Sequence, residues 1–194
     1  CHHLLIDVVS WRILLEDLYA LYQGKVVAQS TSSYQQWVSY VHSYPTVFAE
    51  ERSYWQNTAQ QAVDYFALPS LQIQKDKSQH RIEFSAELTH KLLKQAHKAY
   101  DTEINDLLLT ALAKALQQLC GLDAISVTLE GHGRQPHDKQ LDLSHSIGWF
   151  TSQHPVHLQA SDEAALAIRQ VKQQLRQIPN KGLGFGAFAR QLQL

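Results

Sequence analysis

Methionine is missing altogether from the 194 residues, and cysteine occurs only at Cys1 and Cys120. Two thiols form at most one bridge, so a disulfide-stapled scaffold is excluded, and no paired-cysteine knuckle is available for a structural zinc. Glycine and proline are sparse, eight and five, and neither an internal repeat nor a low-complexity tract interrupts the chain. Charge lacks a dominant sign: seventeen Lys and Arg against eighteen Asp and Glu give a net charge of −1. With no basic run to concentrate it, general affinity for nucleic acid or an anionic membrane has no foundation. The longest apolar stretch, Leu107 to Leu116, is cut by Thr110 and Lys114 and falls far short of the ~20 residues that span a bilayer. These absences fit a reduced, cytoplasmic setting. A chain that opens on cysteine, holds no methionine and enters directly on a motif reads as a fragment of a longer protein.

Apolar residues make up 44% of the chain, enough for a sizeable core in one medium domain or two small lobes. Ser10 reads as a helix N-cap, followed at helical spacing by Trp11, Leu14, Leu15, Leu18, Leu21 and Tyr22 up to Gly24. Tyr34 to Tyr44 and Ala49 to Ala62 read as two more helices separated by Pro45, and Phe66 to Ser78 as a linker at the lobe boundary. His80 to Phe84 alternates as a strand. A helix then ends near Tyr100, and a denser apolar stripe from Ile104 to Leu119 predicts a buried helix stopped by Gly121. Ile125, Val127 and Leu129 alternate with Ser126, Thr128 and Glu130, which puts Glu130 at the polar end of a core strand. Ile147 to Leu158 reads as extended, Asp162 to Ile178 as a helix capped by Ser161 and closed by Pro179, and KGLGFGAFARQL as a glycine-rich turn entering an apolar helix. Strands alternating with helices predict a layered α/β or α+β fold.

Two groups able to exchange protons near neutral pH stand out: the adjacent His2 and His3 in HHLLIDVVSW, and Glu130 in EGHGRQ. Asp7, four residues beyond His3, could orient or charge-balance the histidines. On the residues alone two readings stay open, proton transfer or a histidine pair that ends a strand and packs against the next helix. His2, His3, Asp7, His132 and His137 include zinc-type ligands, but HExxH is absent and no metal is expected. GxSxG is absent as well, so capping explains Ser10 better than nucleophilic attack does.

HHLLIDVVSWRILLEDL resembles the HHxxxDGxSW signature of the epimerization domains of nonribosomal peptide synthetases, relatives of the condensation domains and of chloramphenicol acetyltransferase. Further motifs follow in order. STSSYQQWVSYV is similar to that family's SYQxWA segment, TEINDLLLTALAKAL to its NDLLLTAL helix, LEGHGRQ to EGHGRE, SIGWFTSQHPV to TVGWFTxxYPV, and PNKGLGFG to PxxGxGYG. EGHGR and GWFT separate epimerization from plain condensation domains. The match departs from the family pattern at Val8, where glycine is usual, and at Gln135, His145 and His154.

The resemblance implies a two-lobe acyltransferase-like fold in incomplete copy, with residues 1–75 the end of the N-terminal lobe and 76–194 most of the C-terminal lobe. It implies inversion of the α-carbon of an aminoacyl or peptidyl thioester, L to D. The substrate rides on the phosphopantetheine arm of a peptidyl carrier protein beside adenylation and condensation domains, and the domain needs no cofactor of its own. His3 and Glu130 would be the acid/base pair, with burial in the channel raising the carboxyl pKa. His2, Asp7, Ser10, Trp11, Gly131, His132, Gly133 and Arg134 would build the motifs, and Asn105, Trp149, Phe150 and Thr151 would line the substrate channel. Gly131 and Gly133 would let the backbone approach the arm, Arg134 would anchor a carboxylate or carbonyl, and N–H groups at the start of the first helix would face an enolate oxygen. A β-branched Val8 in place of glycine implies a weakened site. The other readings are an amide-forming condensation-type acyltransferase and a decayed domain that only docks the carrier.

Overall fold

Asp7, rather than Ser10, caps the first helix. In the computed structural model, which describes residues 2–27, 32–62, 79–136 and 141–192, α1 runs Val8–Tyr22 and the Asp7 carboxylate accepts from the Ser10 N–H at 2.7 Å. A carboxylate at this position satisfies an orphan N–H and also meets the positive end of the helix dipole, so it outcompetes the serine three residues on. α1 turns Ile13 into the core and leaves Leu15, Leu18 and Tyr22 exposed. α2 (Tyr34–Val47) opens on a capping box formed by Ser33 and Gln36. It runs through Pro45 instead of stopping there, because a proline in the last turn removes only one ladder bond while Trp37 and Tyr44 are anchored in the core. The helix expected over 49–62 is split into a 3₁₀ turn at Ala49–Glu51 and α3 (Arg52–Gln60).

The next stretch of chain departs more from the sequence pattern. His80 to Phe84 takes no regular secondary structure and joins no ladder among the described residues, and Ile82 and Phe84 are exposed. Alternation gives a strand one apolar face; it does not supply a hydrogen-bonding partner. α4 (Ala86–Lys91) and α5 (His97–Tyr100) are joined by a π turn over Leu92–Ala96. α6 (Ile104–Cys120) ends at Gly121 in the left-handed conformation, as its position suggests. Its apolar stripe is only partly covered: Ala113 and Cys120 are buried, whereas Leu108, Leu112 and Leu119 are exposed. β1 (Ile125–Gly131) pairs with β2 (Ser152–Leu158), the one ladder among the described residues; the extended reading of 147–151 gives way to irregular backbone. α7 (Ala164–Arg176) starts later than expected, with Glu163 at the cap position and the Ser161 hydroxyl accepting from the Glu163 N–H instead. α8 (Leu183–Leu192) follows the glycine-rich turn. Phe66 to Ser78, Cys1 and His137 lie outside the described residues.

The chain forms two compact units. One comprises Cys1–Ala59, Thr128–His154 and Pro179–Leu194; the other comprises Gln60–Val127 and Pro155–Ile178. β1 and β2 each carry the chain from one unit into the other. The first unit has an aromatic core of Trp37, Tyr44, Trp55, Phe150 and Phe188, and Tyr44 meets Phe188 edge to face between α2 and α8. Full burial of each such ring contributes roughly 1.5–3 kcal/mol. In the second unit Arg176 of α7 clasps the buried Asp106 of α6 through both terminal nitrogens, at 3.1 and 2.9 Å.

Candidate active site at the HHxxxD turn

Residues 2–10 fold as a tight lead-in to α1. His2 Nδ1 accepts from the Leu4 N–H at 3.1 Å and caps a 3₁₀ turn at His3–Leu5. Beyond it the chain is pinned to Gly148 three times: the Asp7 N–H donates to the Gly148 carbonyl at 3.1 Å, the Ser10 hydroxyl donates to the same oxygen at 2.9 Å, and the Gly148 N–H donates back to Ser10 Oγ at 3.1 Å. A Cβ on Gly148 would overlap the Tyr34 ring, so this contact requires glycine. Ser10 is thus an interior clasp of the first turn, with its N–H already committed to Asp7 and so not directed at an enolate.

Arg134 closes the arrangement. Its Nη2 donates to both Asp7 oxygens, at 3.0 and 3.2 Å, and to Ser10 Oγ at 2.7 Å; its Nη1 donates to the carbonyls of Leu143 and Ser146 at 2.8 and 2.6 Å. The guanidinium lies 4.1 Å from the Phe150 ring centroid, and both side chains of the ion pair are almost wholly buried, Arg134 at 5% and Asp7 at 2% exposed. The Phe150 N–H donates to the second Asp7 oxygen at 3.2 Å. Burial pushes the Asp7 carboxyl up, but the Ser10, Phe150 and Arg134 hydrogen bonds outweigh it and hold the group below the usual carboxylate range. The Asp7 lone pairs are filled and both terminal nitrogens of Arg134 donate, which makes the buried ion pair tolerable, while Arg134 Nε is buried without a hydrogen-bond partner.

Around this clasp the two candidate proton-transfer groups are accessible. His3 is exposed with its ring edge-on to Trp149 at 6.1 Å. Glu130 is also exposed, on β1, and accepts from Gln153 Nε2 of β2 at 3.3 Å; the buried carboxyl expected at this position is not what the fold provides, because it sits on the strand's outward face. Gly133 has φ +66°, and a Cβ there would collide with the Phe150 carbonyl, so its smallness serves the approach of the chain to itself. His132 Nδ1 accepts from the Arg134 N–H at 3.1 Å, and a Cβ on Gly131 would touch Ser152 Oγ. Phe150, expected along the channel, is a core residue 2% exposed between Arg134, Tyr34 and Trp37. Trp149 and Trp11 are partly exposed, Thr151 is half-buried, and Asn105 is exposed on α6 in the second unit. Val8 is the first residue of α1 with its side chain 76% exposed, and positive φ among described non-glycine residues is confined to Asp101, Asn180 and Lys181. The backbone there makes no demand for glycine. Sequence reasoning missed Gly148, Tyr34 and the carbonyls of Leu143 and Ser146, none of which carries chemistry of its own; SYQ and GWF, read as paired motifs, were the available signal. Among the described residues no group of three or more His, Cys, Asp or Glu side chains is arranged to hold a metal ion.

His154, where the motif match would place tyrosine, is 5% exposed against Trp55 and Gly182, and burial pushes its imidazole below the ordinary value. The unfolded chain takes up this proton as pH falls through about 6.5 while the folded chain resists it, so stability is lost on acidification in that window. His154→Gln is expected to flatten the dependence of the urea midpoint between pH 7.5 and 5.5, by up to about 1.4 kcal/mol per pH unit. An unchanged slope would assign that sensitivity to other groups.

A mixed helix and strand layer carrying an HHxxxD turn clasped by a buried arginine defines an acyltransferase-like domain. The condensation domain family model matches residues 1–194, and the chain belongs to that family, with the fold of its nonribosomal peptide synthetase members. It is 41% identical over 207 residues to gramicidin S synthase 1 of Brevibacillus brevis, covering 96% of this chain and 18% of that protein. It is similar to the epimerization domain from the third module of tyrocidine synthetase B, with TM-score 0.81 and 34% identity over 100% of this chain and 46% of that one. The first condensation domain of the calcium-dependent antibiotic synthetase shares the fold at TM-score 0.71 and 16% identity, over 98% of this chain and 44% of that one. The chain thus spans less than half of each of these relatives. Among the described residues no helix is long and apolar enough to cross a membrane.

Proposed function

We propose that this chain is part of a cytoplasmic epimerization domain that inverts the α-carbon of an aminoacyl or peptidyl thioester carried on the phosphopantetheine arm of a carrier protein, next to adenylation and condensation domains. In chain order, residues 1–75 close its N-terminal lobe and 76–194 make most of its C-terminal lobe. The observation that carries this reading is the Asp7–Arg134 clasp. His3 lies four residues before Asp7 and Glu130 four before Arg134, so the ion pair ties both motifs into one compact unit. The greater identity to the tyrocidine epimerization domain, 34% against 16% for the condensation domain, points the same way.

Inversion needs one group on each side of the carbon. A base removes the α-hydrogen as a proton, the C–H electrons enter the thioester enolate, and an acid on the opposite face returns a proton to carbon. A lone base would return it to the face it came from. His3 and Glu130 supply the two roles without a metal. The Asp7–Arg134 pair does no proton transfer; it fixes the turn that carries His3. Val8, helical and pointing to solvent, gives the decayed reading no backbone argument.

The test is to load a carrier protein with an L-aminoacyl or peptidyl thioester, add the complete domain in deuterated water, and follow α-deuterium and chirality. Deuterium in a D product supports the proposal. Amide formation without α-exchange indicates condensation, and carrier binding with neither indicates a docking domain; each of these would overturn it.

A further inference from the structure

The turn Pro179–Gly182 holds two consecutive left-handed residues that are not glycine, Asn180 (φ 45°, ψ 37°) and Lys181 (φ 52°, ψ 33°). Such residues cost roughly 1–2 kcal/mol each, less for asparagine, and persist only where surrounding contacts enforce them. The enforcing contact is half-buried. Asn180 Nδ2 donates to Tyr44 Oη at 2.6 Å and to Glu51 Oε1 at 2.5 Å. Tyr44 donates to the same Glu51 oxygen at 2.8 Å, and Trp55 Nε1 donates to the other at 3.0 Å.

Glu51 is 6% exposed, and among the described residues it has no salt-bridge partner. A buried carboxylate facing only neutral donors is a costly way to fill a core, and an apolar side chain would stabilise the fold at least as well. Its geometry shows what it secures. Gly184 is pressed so closely on Glu51 Oε2 that a Cβ would overlap it, which brings the start of α8 down onto the carboxylate. On the turn's other side, Asn180 and Lys181 share with Gln135 and Pro136 the walls of a cavity of about 180 Å³. Gln135 directly follows the clasping Arg134.

We propose that Glu51 is a positioning residue: through Asn180 it fixes the strained turn as a wall beside the segment that follows Arg134, and thereby shapes the path of the carrier-bound substrate. The substrate part rests on the epimerization reading; the coupling of Glu51 to the turn does not.

The experiment is a donor–acceptor exchange in the complete domain. E51Q directs an amide N–H at a neighbouring donor, and N180G keeps the left-handed backbone without strain while deleting the tether, which covers the case in which E51Q does not fold. Either single change should speed amide hydrogen exchange at residues 180–184 and 135. Each should also raise the KM for carrier-bound thioester about ten-fold with kcat little changed, the size of one charge-assisted hydrogen bond. In E51Q/N180D the bond is reversed: the amide introduced at position 51 donates to the carboxylate introduced at position 180, Tyr44 donates to that carboxylate as well, and Trp55 still donates to the side-chain oxygen at position 51. Amide protection and KM should then return toward wild type. Wild-type protection in both single variants, or a double variant no better than E51Q, would overturn the coupling. Loosened amides with an unchanged KM would overturn its role in substrate binding. Absence of α-exchange in the unaltered domain would sink the epimerization reading, while the amide measurements would still decide the coupling.

Discussion

His3→Ala and Glu130→Gln should each lower α-deuterium incorporation by roughly 10²–10⁴-fold, the range expected when a positioned acid or base is removed. Neither should move the urea midpoint. His3 and Glu130 are exposed, and the contacts they make are one ring edge and one solvent-facing hydrogen bond, so the stability change should stay within about 0.5 kcal/mol. The split between lost chemistry and retained stability is what separates a reacting group from a structural one. Loss of exchange in one direction of inversion, measured with L and D thioesters separately, would further assign each residue to a face of the carbon. Wild-type rates in both variants would refute the two-residue assignment.

Arg134→Leu should do the opposite: unfold the protein first. It leaves the Asp7 carboxylate, 2% exposed, without its cation, and it strips the donors from the carbonyls of Leu143 and Ser146. Breaking a buried ion pair by removing one partner costs about 3–5 kcal/mol, which is a large share of the stability of a domain this size. Arg134→Lys should recover little, since one ammonium cannot reach Asp7, Ser10 and two carbonyls in the plane of a guanidinium. Urea unfolding of both variants measures this. A loss below about 1 kcal/mol for Arg134→Leu would mean that water replaces the arginine and that the clasp is not structural.

Acid titration gives an independent check on the same pair. Asp7 is held below its ordinary value, so the unfolded chain binds the proton first as pH drops through about 3.8. The stability that Asp7 contributes is present above that pH and is lost as pH falls through its lowered folded value. The His154 effect has the same sign but begins near pH 6.5, so the two are resolved on one stability profile.

Local patterning was a good guide wherever one residue type could do only one thing. Gly121 ends α6 in the left-handed region, and the strand over Ile125 to Glu130 forms where alternation placed it. The reading failed where two residues competed for one role. Ser10 and Asp7 can both cap, and the choice fell to Asp7 because the Ser10 hydroxyl is claimed by Gly148 and Arg134, partners 138 and 124 residues away. His80 to Phe84 carries a strand pattern that no neighbour among the described residues completes. Glu130 was placed on the correct strand, yet its burial depends on what covers that face.

What the sequence determined by itself was the identity and order of the candidate proton-transfer groups, the helix periods and the family, since each is written in contiguous residues. Only the tertiary structure decided which groups are structural and which remain available. Asp7 and Arg134, 127 positions apart, are removed from chemistry by mutual neutralisation in the interior, while His3 and Glu130 stay accessible. The physical reason is that desolvation and charge pairing depend on distance through space, and a linear chain specifies that distance only after it has folded.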